Sequence, residues 1–385
     1  MKNLEHGLNM EMTKYRLGDI AKIFDGPHAT PRKTESGPIY LGVDAITEDC
    51  KINPSEFAYL SENDYKIWTK RVVPQHKDIV FSYEATLGRY AIIPEDFYGC
   101  LGRRLGLVRI IDDRVDYKWL YYFFQSPQWT NFIKSHTIKG STVNRISVDE
   151  MPSYEIPCVA MSEQKKIAAA LSALDDKIAL NKKMNQKLEA MAKRLYDYWF
   201  VQFDFPDENG RPYKTSGGPM THNPTLNREI PEGWIVVDIN NLCDVVDCLH
   251  SKKPDYCFEN EDSYLLALEN ITKEGYIDLS EKYYISNQDF KEWTSRICVK
   301  ENDFLFTNAG RAGDMGMVPE GVSCAIGRNI TAVRPKNVNP WYLRCFFKSL
   351  YMQEQILNNL DQGSFFMSFN VRSIKKLQVL IPSKK

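Results

Sequence analysis

The sequence has no apolar run long enough to cross a bilayer and no secretory signal peptide at its start. It also lacks an excess of charge of either sign, since 49 Lys and Arg residues stand against 50 Asp and Glu residues. This balance argues against an indiscriminate polyanion-binding tail, although basic residues confined to one face could still read DNA. The nine cysteines are irregularly spaced, which is typical of a reduced, cytoplasmic protein.

Signatures of catalysis are missing as well. No Gly-x-x-x-x-Gly-Lys-Ser/Thr loop is present, so the chain encodes no ATP-driven translocase. Residues 339–342 (Asn-Pro-Trp-Tyr) partly match the Asn-Pro-Pro-Tyr-type tetrad of adenine methyltransferases, but no Gly-rich cofactor loop precedes them. We therefore predict no catalytic residue in this chain.

A metal site is not predicted either. The only suggestive group is Cys243, Cys248, His250 and Cys257, whose spacing matches no closed zinc site. Reduced core or surface cysteines are the simpler interpretation.

One long stretch, residues 161–204, contains neither proline nor glycine. Apolar or seam-type residues recur in it at alternating steps of four and three, the 3.5-residue rhythm of a coiled coil. They are Ile167, Leu171, Leu174, Ile178, Asn181, Asn185, Leu188, Ala192, Leu195 and Trp199. The pattern predicts one helix, roughly 55–60 Å long, whose seam needs a second helix from this chain or another. The alternative is a surface helix lying on a domain.

The segments on either side of this helix are copies of one another. Trp68-Thr69 matches Trp293-Thr294, an offset of 225 residues (293 − 68). The same offset relates Asp78 to Asp303, Phe81 to Phe306, Gly88 to Gly313, Pro94-Glu95 to Pro319-Glu320 and Gly102-Arg103 to Gly327-Arg328. After a two-residue slip, residues 119–124 lie over residues 342–347. One fold has therefore been used twice.

The first copy mixes strand and helix patterns. Strand-like runs lie at 38–43, 78–83 and 105–111, and helical runs at 61–69 and 117–136. We predict an α+β fold with two repeated mixed domains separated by a long coiled-coil-type helix. The predicted segments are a flexible leader (1–13), the first domain (14–158), the helix (159–204), a Gly/Pro-rich connector of linker composition (205–233) and the second domain (234–385).

Aromatic residues crowd into 117–129 and 341–351. They could stack on unpaired bases. Helical spacing and their recurrence in both copies favour a core helix instead.

The combination resembles the DNA-specificity subunits of type I restriction–modification systems, over about residues 14–385. The resemblance is carried by EQKKIAAALSALDDKI in the helix, by KGSTVNRISVDEMPSYEIP before it, by Pro-Glu-Gly-Trp at 231–234, and by the tandem copies. It implies that each copy is a target-recognition domain reading one half of a bipartite DNA site. It also implies that the helix docks methyltransferase subunits, and that S-adenosylmethionine, ATP and Mg²⁺ act on the methyltransferase and restriction partners only.

One departure concerns the end of the chain. Members of this family usually carry a second helix after the second domain, antiparallel to the first, whereas this sequence ends at residues 382–385. Either the chain is a truncated product, or another chain, such as a homodimer partner, supplies the missing helix. Two alternatives remain: a truncated subunit acting as a dimerising or partner-binding scaffold, and a stand-alone DNA-modifying enzyme.

Candidate DNA-contacting residues lie in polar, Gly-containing segments that are predicted to be loops. Arg can bind guanine in bidentate fashion, Asn can bind adenine, and Lys and Arg neutralise phosphates. In the first copy the candidates are Arg32, Lys33, Thr86, Arg89, Arg103, Arg104, Lys139, Ser141, Asn144 and Arg145. In the second copy they are Lys252, Lys253, Asn308, Arg311, Arg328, Asn329, Ser364, Asn370 and Arg372. The alternative is that any of these belongs to an ordinary polar turn.

The repeat divides these candidates into two classes. Positions shared by both copies, such as Arg103 and Arg328, are predicted to touch phosphates, since the two half-sites should differ in sequence. Divergent segments, 84–89 against 308–313, are predicted to read bases. Because one turn of B-DNA is about 34 Å, a helix of the predicted length would leave unread bases between two half-sites.

Overall fold

The computed structural model describes residues 12–140, 143–249, 254, 256–257, 263–362 and 367–383 of the 385-residue chain. The chain forms two compact units, Met1–Met184 and Asn185–Lys385. The division falls inside the long helix, whereas the sequence prediction made the helix and the connector separate segments. The finer domain bounds stay predictions.

The first unit is built from short strands and helices. Its strands are β1 (Thr13–Arg16), β2 (Ala21–Asp25), β3 (Thr34–Leu41), β4 (Ala58–Tyr59), β5 (Ile79–Ser82), β6 (Tyr90–Ile92), β7 (Gly99–Leu101), β8 (Leu105–Ile110) and β9 (Glu155–Cys158). Its helices are α1 (Leu17–Ile20), α2 (Glu62–Trp68), α3 (Tyr117–Phe123), α4 (Pro127–Ser135) and the first part of α5 (Met161–Tyr196). The predicted runs at 38–43, 78–83, 105–111 and 61–69 correspond to β3, β5, β8 and α2.

Two sheets form the body of this unit. One is antiparallel with the order β2-β8-β5-β6, and the other has the order β4-β3-β7 with β3 parallel to β7. Every residue of β5 is buried, which explains a continuous apolar run where a half-exposed strand would alternate. The pair β1 and β9 joins the two ends of the copy, with Thr13 opposite Cys158.

The second unit repeats this plan. Its strands are β10 (Met220–Asn223), β11 (Arg228–Pro231), β12 (Ile235–Asp238), β13 (Cys243–Asp247), β14 (Tyr264–Leu266), β15 (Tyr283–Tyr284), β16 (Val299–Lys300), β17 (Phe304–Thr307), β18 (Met315–Met317), β19 (Ser323–Ile326), β20 (Ile330–Pro335), β21 (Asp361–Gln362), β22 (Met367–Ser368) and β23 (Gln378–Ile381). Its helices, besides the end of α5, are α6 (Asn287–Trp293), α7 (Pro340–Phe347), α8 (Leu350–Asn358) and α9 (Val371–Lys375).

The sheet orders of the first unit recur in the second, where one sheet carries an additional strand, β16, paired with β19. The order β13-β20-β17-β18 repeats β2-β8-β5-β6, and β15-β14-β19 repeats β4-β3-β7, again with one parallel pair. The pair β12 and β23 repeats β1 and β9. The tandem repeat read from the sequence, and with it the α+β fold class, is confirmed.

A buried ion pair fixes the central sheet of the first copy. The Arg109 guanidinium donates to Asp78 at 2.8 and 2.6 Å and to the Val73 carbonyl at 2.8 Å. The Asp78 side chain is 3% exposed and also accepts the Gln75 backbone N–H at 2.7 Å. A carboxylate this deeply buried is stable only because these donors satisfy it.

The second copy contains the same arrangement 225 residues later (303 − 78). Arg334 donates to Asp303 at 2.9 and 2.6 Å and to the Cys298 carbonyl at 2.7 Å. Asp303 is 2% exposed and accepts the Lys300 backbone N–H at 2.9 Å. The two copies therefore share their internal bonding as well as their strand order.

The helical run at 117–136 is two helices, α3 and α4, where the sequence predicted one. Pro127 occupies the first turn of α4, and Ser126 caps it by accepting the Trp129 N–H at 3.2 Å. Proline lacks the N–H that a continuous helix requires and disfavours helical backbone at the residue before it. The break therefore follows from the Ser-Pro step.

The aromatic residues of α3 and α4 mostly face the core, as helical spacing favoured. Trp129 is 2% exposed, and its indole N–H donates to the hydroxyl of the buried Tyr90 at 2.9 Å. Trp119 is also buried. In the second copy Trp341 is the exception, since it is 63% exposed.

The long helix is confirmed over Met161–Tyr196 and continues as a π-helical segment, Asp197–Val201, ending about one turn before the predicted residue 204. Its start is anchored by Gln164, which is fully buried. The Gln164 amide donates to the carbonyls of Arg114 (2.9 Å) and Val159 (2.8 Å) and accepts the Asp116 N–H (2.9 Å). Among the described residues, no helix is both long enough and apolar enough to span a membrane.

Most of the predicted seam lies on the exposed side of this helix. Ile167 is half-buried against the core of the first unit. Trp199 is also half-buried, whereas the other eight predicted seam residues are all exposed: Leu171, Leu174, Ile178, Asn181, Asn185, Leu188, Ala192 and Leu195. Leu174 and Leu188 expose 58% and 59% of their surface. The helix thus contacts its own units through other residues.

The connector is folded, although its composition is that of a linker. β10 and β11 form an antiparallel hairpin at 220–231. Before it, the Phe205 ring stacks on Tyr213 at 4.6 Å between centroids and on Trp234 at 5.3 Å. Phe203, 2% exposed, belongs to the same core. These aromatic anchors outweigh the Gly and Pro content that suggested a flexible chain.

Candidate nucleic-acid interface

In the first unit the predicted loops meet at one end of the sheets. Backbone bonds join them: Tyr83 N–H donates to the Arg104 carbonyl at 3.2 Å, and Ala85 N–H donates to the Asn144 carbonyl at 3.2 Å. The 138–146 segment is held in the same cluster because Ile146 N–H donates to the Tyr83 carbonyl at 2.8 Å. Three loops that are far apart in sequence thus form one surface.

The fourth predicted loop, residues 26–33, adjoins the same edge. Gly26 N–H donates to the carbonyl of Leu105 at 2.9 Å, and a Cβ at Gly26 would lie 2.3 Å from that oxygen. Glycine is therefore required for this close approach of the two backbones. Arg32 and Lys33 follow in the exposed part of the loop.

Several predicted cations of the first unit are exposed and form no ion pair within the described part of the chain. These are Arg32, Lys33, Arg103, Lys139 and Arg145. Asn144 is exposed beside them. Such side chains keep their donors available for phosphates and base edges. Ser141 lies outside the described residues.

Other predicted residues of the first unit are hydrogen-bonded within the protein or buried. Arg104 adopts a left-handed φ of 71° and donates to Glu84 at 3.0 Å. Arg89 donates to the Ile46 carbonyl at 3.0 Å. The Thr86 hydroxyl is buried, with no hydrogen-bond partner among the described residues. Arg89 and Arg104 therefore have fewer donors left for DNA than the exposed cations.

A cleft of about 490 Å³ opens beside the 26–33 loop. It is lined by Asp25, His28, Trp68 and Arg71, with His28 Nε2 2.7 Å and Arg71 Nη1 3.4 Å from one Asp25 oxygen. Burial, and then the hydrogen bond with Asp25, raises the pKa of Tyr83. The other Asp25 oxygen and the Trp68 indole N–H are buried without a partner in the described part of the chain.

The second unit repeats the loop cluster. Asn308 N–H donates to the Asn329 carbonyl at 2.7 Å, and Phe369 N–H donates to the Asn308 carbonyl at 2.8 Å. Asn329 has a left-handed φ of 63°, as Arg104 has in the first copy. Asn or Asp adopts this conformation at lower cost than a longer side chain.

The predicted DNA-contacting residues of the second unit also divide into exposed side chains and side chains that bond to other parts of the protein. Arg328 and Arg372 are exposed and form no ion pair in the described ranges. Arg311 donates to two backbone carbonyls. Asn308 accepts from Thr331 at 2.9 Å, and Asn370 caps α9 by accepting the Ser373 N–H at 3.0 Å while donating to Asp361. Lys252, Lys253 and Ser364 lie outside the described residues.

Residues 339–342 begin a helix and do not form a methyltransferase tetrad. The Asn339 side chain caps α7 by accepting the N–H groups of Trp341 at 2.8 Å and Tyr342 at 3.2 Å. The Tyr342 hydroxyl donates to the Leu380 carbonyl. Cys243 and Cys248 are buried, and burial raises the pKa of both thiols. No group of three or more potential metal ligands occurs among the described residues, which leave out His250.

Sequence reasoning missed a pair of small loops, the strap loops, at residues 46–52 and 271–277. Each is closed by an isolated β-bridge, Ile46 to Ile52 and Ile271 to Ile277. The 225-residue offset relates them. The two loops share an isoleucine at each end and a threonine at the second position, but the four residues between differ, and this short match was overlooked.

The strap loop of the first copy is bonded to the long helix. Lys51 forms an ion pair with Asp175, which also accepts the Tyr122 hydroxyl at 2.8 Å. Burial alone would lower the pKa of Lys51, but the interactions with Asp175 and Tyr121 together outweigh it and the pKa is raised. About two turns further along the helix, Lys182 donates to Asp49 of the same loop at 3.0 Å.

The strap loop of the second copy makes the equivalent contact with different chemistry. Tyr276, at the position of Lys51 (276 − 51 = 225), donates its hydroxyl to Glu189 of the helix. Lys348 and Arg344 approach the same carboxylate at 3.4 and 3.6 Å. Burial would raise the pKa of Glu189, but the tyrosine bond and the cations together lower it.

Known proteins resemble this chain in sequence. Residues 9–190 match the family model described as the type I restriction modification DNA specificity domain. The chain is 24% identical over 379 residues to the type I restriction enzyme MjaIX specificity subunit of Methanocaldococcus jannaschii, covering 94% of this chain and 83% of the relative. It is 22% identical over 295 residues to the EcoBI specificity subunit of Escherichia coli, covering 74% and 59%.

A solved structure has a similar fold. The S subunit of a type I restriction–modification system from M. genitalium superposes with a TM-score of 0.54, at 15% identity, over 98% of this chain and 86% of that one. At this level of identity the likeness concerns the fold alone.

Proposed function

Because the chain belongs to the DNA-specificity subunits of type I restriction–modification systems, we propose that each of its two copies reads one half of a bipartite, gapped DNA site. Specificity subunits recognise the DNA target and act with methyltransferase and restriction subunits; they are not themselves catalytic. The residue-level assignment and the two-part site are our proposal. The observation that carries it is the repeated loop cluster, present once in each unit at the same end of the same sheet order.

The exposed cations are the proposed DNA contacts. We assign Arg103 and Arg328 to phosphates, because both are exposed and they lie at equivalent positions, 225 residues apart. A phosphate contact adds affinity without sequence information. Arg32, Lys33, Lys139 and Arg145 would serve the first half-site, and Arg372 the second.

The exposed seam of the long helix is proposed to bind a helix of a partner chain. Leu174, Ile178 and Leu188 each expose more than half of their surface. An apolar seam interrupted by Asn181 and Asn185 has the composition of a helix pair whose register is fixed by polar residues. Both a methyltransferase subunit and a second copy of this chain could supply that helix. Size-exclusion chromatography with mass detection, with and without the methyltransferase subunit, distinguishes them.

Cofactors and location complete the proposal. S-adenosylmethionine, ATP and Mg²⁺ would act on the partner subunits, and none is assigned a site in this chain. The irregular spacing of the nine cysteines is consistent with our proposal of a reducing, cytoplasmic location.

The proposal is tested by the motif that the complex methylates. The chain is combined with its methyltransferase subunit, and modified bases are mapped by single-molecule sequencing of DNA carrying all local sequences. We expect a two-part motif with unread bases between the halves. A single continuous motif would contradict the bipartite assignment.

A domain exchange gives the sharper control. Replacing residues 234–385 by the corresponding segment of a relative should change one half of the motif and leave the other unaltered. If both halves change, the copies do not read independently.

The phosphate assignment has its own measurement. For Arg103→Ala and for Arg328→Ala, the slope of log affinity against log salt should become shallower by about one unit. Lys183→Ala, which removes an exposed cation of the helix outside the loop clusters, is the matched control. An unchanged slope in the arginine variants would remove these residues from the interface.

A further inference from the structure

The turn between β5 and β6 contains the residues predicted to read bases in the first copy, and Arg89 is at its end. Its Nη1 donates to the Ile46 carbonyl at 3.0 Å and its Nη2 to Glu48 at 3.2 Å. The Arg89 side chain is 22% exposed and that of Glu48 is 90% exposed. An ion pair to so exposed a carboxylate contributes little. The bond to the strap-loop carbonyl is therefore the stronger of the two contacts.

The second copy reaches the same place from a different position. Arg311 donates to the carbonyls of Leu268 at 2.7 Å and Ile271 at 2.6 Å. Ile271 is the counterpart of Ile46, whereas Arg311 is the counterpart of Thr86 and lies three residues before the counterpart of Arg89. The two turns thus differ in sequence and register, yet each sends one arginine to the same backbone oxygen.

Backbone carbonyls impose a definite geometry on these arginines. A guanidinium has donors in a fixed fork, and those directed at a carbonyl are not available to a base. The bond also orders the turn before any ligand arrives, which reduces the conformational entropy lost on binding. The function of such a residue is to hold its turn in place.

The strap loops extend this connection to the helix. In the first copy the chain of contacts runs from Arg89 through Ile46 to Lys51 and Asp175. In the second it runs from Arg311 through Ile271 to Tyr276 and then Glu189. Each copy therefore joins its turn to an acidic residue of its own part of α5, and the side chain that reaches the helix is a lysine in one copy and a tyrosine in the other.

We propose that Arg89 and Arg311 are positioning residues, which fix the β5–β6 and β17–β18 turns on strap loops that are themselves held by Asp175 and Glu189 of the long helix. The inference rests on the proposed function, in which these turns read DNA. It differs from that proposal in assigning neither arginine to a base. Target reading in each half then depends on contacts remote from the DNA.

The test measures discrimination base pair by base pair. The complex with the methyltransferase subunit is assayed on the cognate site and on every single-base variant of it. Arg89→Ala should lower the discrimination at all positions of the first half together, by about tenfold for loss of a charged hydrogen bond, with the second half unchanged. Arg89→Lys, which keeps one donor, should restore part of it. Arg311→Ala is the matched variant for the second half.

The remote link is tested by Lys51→Met. The inference requires the same pattern as in Arg89→Ala, confined to the first half but weaker because Lys51 is 45% exposed. The double variant should lose less than the two single losses combined, since both act on one connection. Met at position 51 adds no group that could read a base.

Several results would overturn the inference. Relaxed discrimination at one base pair only in Arg89→Ala would make Arg89 a base reader. Full first-half discrimination in Lys51→Met would remove the link to the helix. If Arg89→Ala fails to fold, the lysine variant and Lys51→Met still decide the question. A wild-type complex without a two-part motif is a separate result, because it would reject the proposed function itself.

Discussion

Removing Arg109 should destabilise the first copy strongly, and the structure sets the size of the effect. Arg109→Met leaves the Asp78 carboxylate, 3% exposed, without its two guanidinium hydrogen bonds and with the Gln75 N–H as its remaining donor. Breaking one side of a buried pair costs about 3–5 kcal/mol. Arg109 is 25% exposed, so water can enter beside it and the lower end is expected.

The assay is urea denaturation followed by circular dichroism and tryptophan fluorescence. A loss of about 3 kcal/mol corresponds to a fall in melting temperature of roughly 6–12 °C for a unit of this size. Arg334→Met should give the same loss in the second copy, where Asp303 is 2% exposed. Lys14→Met, which removes a pair with Glu155 whose side chains are 69% and 58% exposed, should change stability by less than about 0.5 kcal/mol.

A double variant separates charge burial from packing. In Asp78→Leu with Arg109→Met no buried charge remains, so part of the lost stability should return. If Arg109→Met alone lies within about 1 kcal/mol of the wild type, the carboxylate must be solvated and the reasoning fails.

Two further predictions use other features. Gly106→Ala should lower stability by about 1–3 kcal/mol, because its Cβ would lie 2.4 Å from the buried Phe81 ring, whereas Gly42→Ala, with 3.8 Å of clearance, should be tolerated in the same urea titration. Glu189→Gln should be less stable than the wild type at pH 7 by up to about 1 kcal/mol. Because folding lowers the pKa of Glu189, its carboxylate stabilises the fold above the ordinary value of 4.5, and this stabilisation is lost as the pH falls through the pKa of the folded state. Equal differences in stability at pH 7 and pH 3 would contradict the role given to the carboxylate.

The sequence predicted those parts of the fold that leave a periodic or repeated pattern. The long helix was visible because its residues 161–204 contain no Pro or Gly, and the copies were visible because Trp68 and Trp293 align without gaps over the central strands. The break between α3 and α4 at Ser126-Pro127 could also have been predicted from the sequence, but the aromatic residues at helical spacing on both sides obscured it. The folded structure of the connector was not foreseen, because its anchors, Phe205 and Tyr213, are two rings in a polar stretch.

The candidate site was predictable only in part. Exposed cations such as Arg103 and Arg328 follow from loop chemistry and from the repeat. Whether an arginine is free or committed depends on which carbonyl lies within its reach, and that is decided by tertiary packing. Arg89 and Arg311 illustrate this, since each donates to the equivalent backbone carbonyl of its own copy, and a sequence alignment does not show which carbonyl an arginine reaches.

In both copies, backbone carbonyls at equivalent positions accept hydrogen bonds from arginines. Val73 in one copy and Cys298 in the other offer the same carbonyl to an arginine, and Ile46 and Ile271 do so again. Every amino acid brings an identical main-chain oxygen, so mutation at such a position leaves the bond in place. The amino-acid sequences of the two halves can therefore diverge widely while the same backbone hydrogen bonds are kept. The relatedness of such domains is better judged from their shared hydrogen bonds than from their sequence identity.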